Sequence, residues 1–330
     1  MMILHENNND FAELIKLASI HFNILPVFVE KDYWITLILH KLANSPYANN
    51  VVFKGGTSLS KGYRLIYRFS EDIDIAMIEE KLSGNALKTK IRNIEKEITT
   101  DFTEIVEPNI TSKGSMFRKS VFEYPSFISG ILSGNTPNRI IVEINSFANP
   151  YPYTKQRITS FISEFLMETN RIETIESYGL QAFSLNVLDK RRTMIEKFVS
   201  LVRFSFSENP SQAVASKIRH FYDLYYLVKD AECAKYLQSP HFKTDSLELL
   251  VHDKEAFDTP EGWRTKNISE SPLASDFSAL WESLRTTYQN ELVQLAFVAI
   301  PEEKEIARSF EKIISCVHDI TVPLKSKNVL

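Results

Sequence analysis

The sequence has little of what would assign it quickly. Its 330 residues include two cysteines, Cys233 and Cys316, far apart and without metal-type spacing. A disulfide framework and a cysteine-based zinc site are therefore excluded, and a reducing, cytoplasmic setting is the expectation. Seven histidines show no ligand spacing, and no Ser/His/Asp or Cys/His nucleophile set can be read. No apolar run approaches the ~18 residues of a membrane span, and no secretory leader is evident, so a non-membrane protein is expected. There is no internal repeat and no low-complexity tract. Basic charge is not in excess either: 38 Lys and Arg stand against 42 Asp and Glu, a net charge of −4. Global charge thus does not advertise a nucleic-acid partner.

What is present is an ordinary globular composition, 44% hydrophobic and 24% charged, in a chain long enough for two domains. The charge is uneven. Residues 111–230 hold 15 Lys and Arg against 11 Asp and Glu, a local +4, so a polyanion would approach that segment. The chemistry concentrates in Val51–Met77, VVFKGGTSLSKGYRLIYRFSEDIDIAM. An apolar run, Val51-Val52-Phe53, breaks at Gly55-Gly56 and passes into Thr57, Ser58, Ser60 and Lys61. A strand, a Gly-Gly turn and a helix start leave backbone N–H groups available to a phosphate. Fifteen residues beyond Thr57, Asp72 and Asp74 stand two apart in an apolar-flanked stretch. On a strand such residues point to one face, where two carboxylates repel each other and a hard cation such as Mg²⁺ relieves the repulsion.

Around this stretch the periodicity predicts further elements. Asp10 is the expected cap of a helix carrying Phe11, Leu14, Ile15 and Ala18, and a second helix follows Pro26 with Glu30-Lys31-Asp32 at its acidic start. The helix after the Gly-Gly turn is expected to run from Ser58 to about Tyr67, and another spans Lys81–Phe102. Strands are expected at Ile105–Ile110, Phe117–Tyr124 and Arg139–Phe147, with Gly130, Gly134, Asn135 and Pro137 forming the turn before the last. That strand places Glu143 in an apolar run, costly unless the carboxylate is paired, metal-bound or at an edge. Ser160–Thr169 reads as a helix and Tyr178–Leu185 as a linking strand or loop. From Asn186 the texture is helical, broken at Asn209-Pro210, Ser239-Pro240, Thr259–Trp263 and Ser271-Pro272. In the helix Leu188–Phe204, Ile195, Phe198, Val199 and Val202 form the apolar stripe, and Lys190, Thr193 and Lys197 fall on the opposite face. A helix over about Gln212–Val228 aligns Arg219, Asp223 and Tyr226, where an i,i+4 ion pair between Arg219 and Asp223 is the plain expectation.

FKGGTSLSK followed by RFSEDIDI resembles the AbiEii/AbiGii toxin family, nucleotidyltransferase-like toxins of bacterial toxin–antitoxin pairs within the polymerase β-type nucleotidyltransferase superfamily. VEKDYWITLIL and RHFYDLYYL extend the resemblance over roughly Val29–Leu227, although His220 stands where the family's RDxxDLYxL motif has an Asp. The resemblance implies an α+β fold: a nucleotidyltransferase domain with a mixed sheet and flanking helices over 1–180, then an α-helical domain over 181–330. It implies Mg²⁺-dependent transfer of a nucleotidyl group from an NTP to an RNA acceptor, with tRNA the foremost candidate, and a cognate antitoxin from a neighbouring gene. Asp72, Asp74 and Glu143 would hold a two-metal site, the third acid coming from a neighbouring strand. Gly55, Gly56, Thr57, Ser58, Lys61, Arg68 and Ser70 would bind the nucleotide, and Lys197 and Asp223 would be catalytic positions of the helical half. A small-molecule or protein hydroxyl as acceptor, and a nucleotide-binding module without catalysis, remain the alternatives. Lys113, Arg118 and Lys119 together with Lys190-Arg191-Arg192 are the candidate grip on an RNA backbone.

Overall fold

A computed structural model describes residues 3–70, 72–78, 82, 84–108, 110–128 and 138–317. Two compact units emerge, one of Met1–Arg64 with Phe69–Asp189 and one of Leu65–Arg68 with Lys190–Leu330.

The first unit is built on a mixed eight-stranded sheet. Helices α1 (Asn8–Phe22) and α2 (Pro26–Asn44) precede strand β1 (Val51–Lys54), which runs straight into α3 (Gly55–Lys61). There follow β2 (Asp72–Met77), α4 (Gly84–Ile98), β3 (Thr103–Ile105), β4 (Ser112–Lys113), β5 (Phe117–Glu123), β6 (Arg139–Asn145) and β7 (Tyr153–Ile158). Helices α5 (Phe161–Glu168) and α6 (Ile172–Tyr178) lead to β8 (Phe183–Leu188). The strand order is β3-β5-β6-β2-β1-β8-β7, with β4 on the free side of β5. β2 and β6 are parallel at the centre, as are β1 and β8; the other pairings are antiparallel. Alternation in β2 and β6 sets the two faces: Ile73, Ile75, Val142 and Ile144 are buried on one, and Asp72, Asp74 and Glu143 lie on the other.

Several elements differ from expectation for local reasons. Asn7, not Asp10, caps α1, accepting a 3.3 Å hydrogen bond from the Asp10 N–H; the Asp10 carboxylate accepts instead from the Tyr178 hydroxyl. The acids of Glu30-Lys31-Asp32 do not serve a helix dipole in solvent, because all three residues are buried. Helix α3 stops at Lys61, where Gly62 and Tyr63 close the turn on the Ser58 carbonyl. The strand expected over Ile105–Ile110 is interrupted by Pro108, which has no N–H for a ladder, and a turn closes on the Glu107 carbonyl. The segment read as a link supplies β8, which starts after a left-handed Gly179 ends α6. Lys81 and the turn residues Gly130, Gly134, Asn135 and Pro137 lie outside the described residues.

The second unit is helical: α7 (Lys190–Phe204), α8 (Pro210–Ala215), α9 (Ile218–Lys229), α10 (Ala231–Leu237), α11 (Pro240–Ala256), α12 (Pro272–Ser275), α13 (Phe277–Leu295) and α14 (Glu303–Ser315). Pro210, Pro240 and Pro272 each open a helix, at the position where a missing N–H costs nothing. The single helix expected over Gln212–Val228 breaks into α8 and α9, where the Ser216 hydroxyl bonds back to the Ala213 carbonyl. Its core is aromatic: Phe221 packs against Phe277, Trp281 and Phe310. No single described helix is long and apolar enough to cross a membrane.

Candidate active site

The acid site lies on one face of the central strands. Parallel pairing of β2 with β6 sets Asp74 directly opposite Glu143, and Asp72 lies two residues back on the same face. This registration brings together the three acids that sequence reasoning singled out. Burial pushes the Asp74 carboxyl up to about 8, and the negative charges of Glu143 and Asp72 push the same way. Lys54 and Lys119 oppose the rise without cancelling it. Among the described residues no three His, Cys, Asp or Glu side chains close into a ready metal cage. The donor chemistry nevertheless fits a hard divalent cation, because only oxygen ligands are offered and their mutual repulsion is what a cation removes.

The turn beside it is shaped around one of these acids. Gly55 joins β1 to α3 with φ +79°, and a Cβ there would fall 2.0 Å from Asp74 Oδ2. Only glycine can hold this backbone against that carboxylate. The hydroxyls expected at a phosphate are turned inward: Thr57 donates to the Asp72 carbonyl, and Ser58 donates to the Gly55 carbonyl at 2.8 Å. Thr57 braces the turn against β2, and Ser58 closes the turn on itself. Lys61 is likewise engaged, paired with the Asp32 carboxylate and nearly buried. The other Asp32 oxygen accepts from the Phe161 N–H at the start of α5, at 2.8 Å. What this turn can still offer an anion is backbone, not side chain. Ser70 is buried beside β2.

Arg68 belongs to the second unit. Its Nε and Nη2 donate to the two carboxylate oxygens of Asp223 at 2.7 and 2.6 Å. Lys197 Nζ reaches the same carboxylate at 2.7 Å, and Arg68, Lys197 and Asp223 are all buried. Asp223 feels the upward push of burial, but the two cations outweigh it and hold its carboxyl well below the usual range. Lys197 and Thr193 therefore face protein rather than solvent. The i,i+4 pair expected for Asp223 does not form, because Arg219 is taken by Glu291. His220, at the position where the family motif has an acid, is held neutral, its pKa lowered first by burial and then by Lys197.

The basic residues expected to grip a polyanion are largely committed. Lys113 pairs with Glu104, Arg118 with Glu95, and Lys190 with Asp230 and Glu232. Arg192 is buried and Arg191 lies over the Tyr236 ring. Sequence reasoning missed Asp32 as the partner of Lys61 and Lys119 as the partner of Glu143. The first carried a readable hint, an acid inside an amphipathic helix pattern; the second is visible only through strand register.

Comparison with known proteins gives a family. Among solved structures, MenT4, a nucleotidyltransferase toxin from Mycobacterium tuberculosis, is similar at 15% identity and a TM-score of 0.49, over 92% of this chain and 99% of that one. No curated protein matches in sequence. The family model described as nucleotidyl transferase AbiEii toxin, type IV TA system, matches residues 37–311, which include the acid row, the glycine turn and the Arg68–Asp223–Lys197 cluster. The chain belongs to the AbiEii family of nucleotidyltransferase toxins of type IV toxin–antitoxin systems.

Proposed function

We propose that this protein transfers a nucleotidyl group from an NTP to the hydroxyl of an RNA acceptor, tRNA foremost, in the cytoplasm and with Mg²⁺ as the divalent ion. The observation that carries the reading is the register that sets Asp74 against Glu143 with Asp72 on the same face. Asp72, Asp74 and Glu143 would hold the metal, which when bound supplies charge stabilisation at the transferred phosphate and lowers the pKa of the attacking hydroxyl. Gly55 keeps side-chain bulk away from that face, and with Gly56 it lets the backbone approach a triphosphate. Holding the metal, Asp72, Asp74 and Glu143 would bring that hydroxyl and the α-phosphorus together. Asp223 orients Lys197 and Arg68 by direct contact, and on the family resemblance Lys197 and Asp223 remain the catalytic positions of the helical unit. A cognate antitoxin encoded nearby is the implied partner.

A second reading has its own observation. Because Lys113, Arg118 and Lys190 are paired with acids, the local +4 offers a polyanion less than its count suggests, which favours a small-molecule or protein hydroxyl as acceptor. One experiment separates the two. The protein is incubated with each α-labelled NTP, Mg²⁺ and either total RNA or total protein with metabolites. Label in RNA, lost in Asp72→Asn, is the expected result; label only in protein or small molecules selects the second reading, and no label in any fraction removes nucleotidyl transfer.

A further inference from the structure

The acids of the site share their row with two lysines. Lys119 of β5 stands opposite Glu143 of β6, Glu143 opposite Asp74 of β2, and Asp74 opposite Lys54 of β1. Residues directly opposed in a sheet project to the same face, so a plus–minus–minus–plus row crosses four adjacent strands. Lys119 Nζ lies 3.4 Å from Glu143 Oε2, with side chains 28% and 22% exposed. Its charge also acts on Asp72 and Asp74. Arg118, one residue earlier, projects to the other face and is bound to Glu95 of α4. Of the two neighbouring cations, the flexible lysine is the one at the acid site.

A half-open pair at this distance contributes little to folding. The longer-range arrangement is more informative. An NTP entering this face meets three carboxylates that repel its phosphates, and Lys119 is a mobile cation on the same row with three donors on a four-carbon stem. We propose that Lys119 is a nucleotide-binding residue, which leaves Glu143 to bind a phosphate oxygen of the incoming triphosphate. The inference rests on the nucleotidyl-transfer reading above and adds to it a phosphate ligand on β5. It also has a consequence of opposite sign. While paired with Glu143, Lys119 competes with a bare divalent cation for that carboxylate, so removing its charge helps the metal and hurts the nucleotide.

The full chain is compared with Lys119→Gln and Lys119→Arg in two binding measurements that need no turnover. Free Mn²⁺ is counted by electron paramagnetic resonance, and each of the four NTPs, as a non-hydrolysable α,β-linked analogue with Mg²⁺, is titrated by calorimetry. Lys119→Gln should bind Mn²⁺ alone several-fold more tightly and its preferred analogue about 10-fold or more weakly, the loss of one charge-assisted contact. Lys119→Arg keeps the charge and should stay near wild type in both. A counter-ion that only quiets the acids predicts tighter Mn²⁺ with unchanged nucleotide affinity; that outcome, or a variant that weakens both ligands together, overturns the proposal. Lys119→Met, which keeps the apolar stem, reads the same two affinities should Lys119→Gln lose its thermal transition. A wild-type protein that binds none of the four analogues overturns the nucleotidyl-transfer reading itself, an outcome distinct from one in which wild type binds and Lys119→Gln binds equally.

Discussion

Asp74 and Asp223 are two carboxylates under the same pressure with opposite results. Asp223 is fully buried and yet held strongly acidic, because Arg68 and Lys197 close on it from hydrogen-bonding distance. Asp74 feels the same upward push of burial, and Glu143 and Asp72 add to it, so its carboxyl is pushed up to about 8. Burial alone would push both carboxyls up. Neighbouring charge outweighs desolvation in the helical unit and adds to it in the sheet unit. One cluster balances its own charge; the other is short of positive charge, which is what a site built to receive a cation looks like.

The largest expected effect tests the satisfied cluster. Asp223→Asn keeps the shape but removes the buried negative charge that Arg68 and Lys197 share, and should cost about 3–5 kcal/mol of stability in a urea melt. A cost near zero would mean that the pair of cations finds other partners. The same substitution in the other unit should have the opposite sign on folding. Asp74→Asn relieves a repulsion, so stability should hold or rise slightly, while nucleotidyl transfer should fall by ~10²-fold or more, since metal-centred charge stabilisation contributes several kcal/mol. Near-wild-type turnover would remove Asp74 from the chemistry. Gly55→Ala sharpens the point, because it threatens Asp74 without touching any charge. The left-handed backbone alone should cost about 1–2 kcal/mol, and the displaced carboxylate should lower turnover with it. A variant with normal stability and rate would show that the turn can relax.

The smallest effect is a difference in pH slope. Asp74 has its native pKa raised from the ordinary 3.8 to about 8, so its contribution to stability is full below about 4 and is lost as pH rises toward 8. Asp223 and His220 both have native values lowered, so their contributions are present above the ordinary 3.8 and 6.5 and are lost as pH falls below them. Unfolding measured in chelator should therefore lose stability as pH rises from about 6.5 to 8, where Asp74 alone of the three titrates, and Asp74→Asn should flatten that limb. If the alkaline limb survives that substitution, the raised pKa belongs to another group.

Much of this was legible from residue order. The sheet-forming runs, the glycine turn, the paired aspartates and the prolines that open α8, α11 and α12 are local signals, and each is a choice a short segment makes from its own backbone chemistry. Glu143 drew attention because a lone carboxylate in an apolar strand is costly. Lys61 and Arg68 carried plausible nucleotide roles, but in the fold Lys61 pairs with Asp32 and Arg68 with Asp223, partners 29 and 155 residues away in sequence. Thr57 and Ser58 had the right hydroxyls, and the fold turned both toward backbone carbonyls.

The sequence by itself determined which groups could do chemistry: the side-chain period of a strand puts Asp72 and Asp74 on one face whatever lies beside them, and only glycine tolerates the backbone at Gly55. Tertiary structure alone decided which charges meet. The row Lys119, Glu143, Asp74 and Lys54 is drawn from four strands whose neighbours in space are far apart in the chain. A shift of one residue in any of those pairings would turn the affected side chains to the opposite face. Register is set by the packing of whole strands against a common core. A local pattern can therefore name an acid, but only the closed sheet can say whether it faces a cation or another acid.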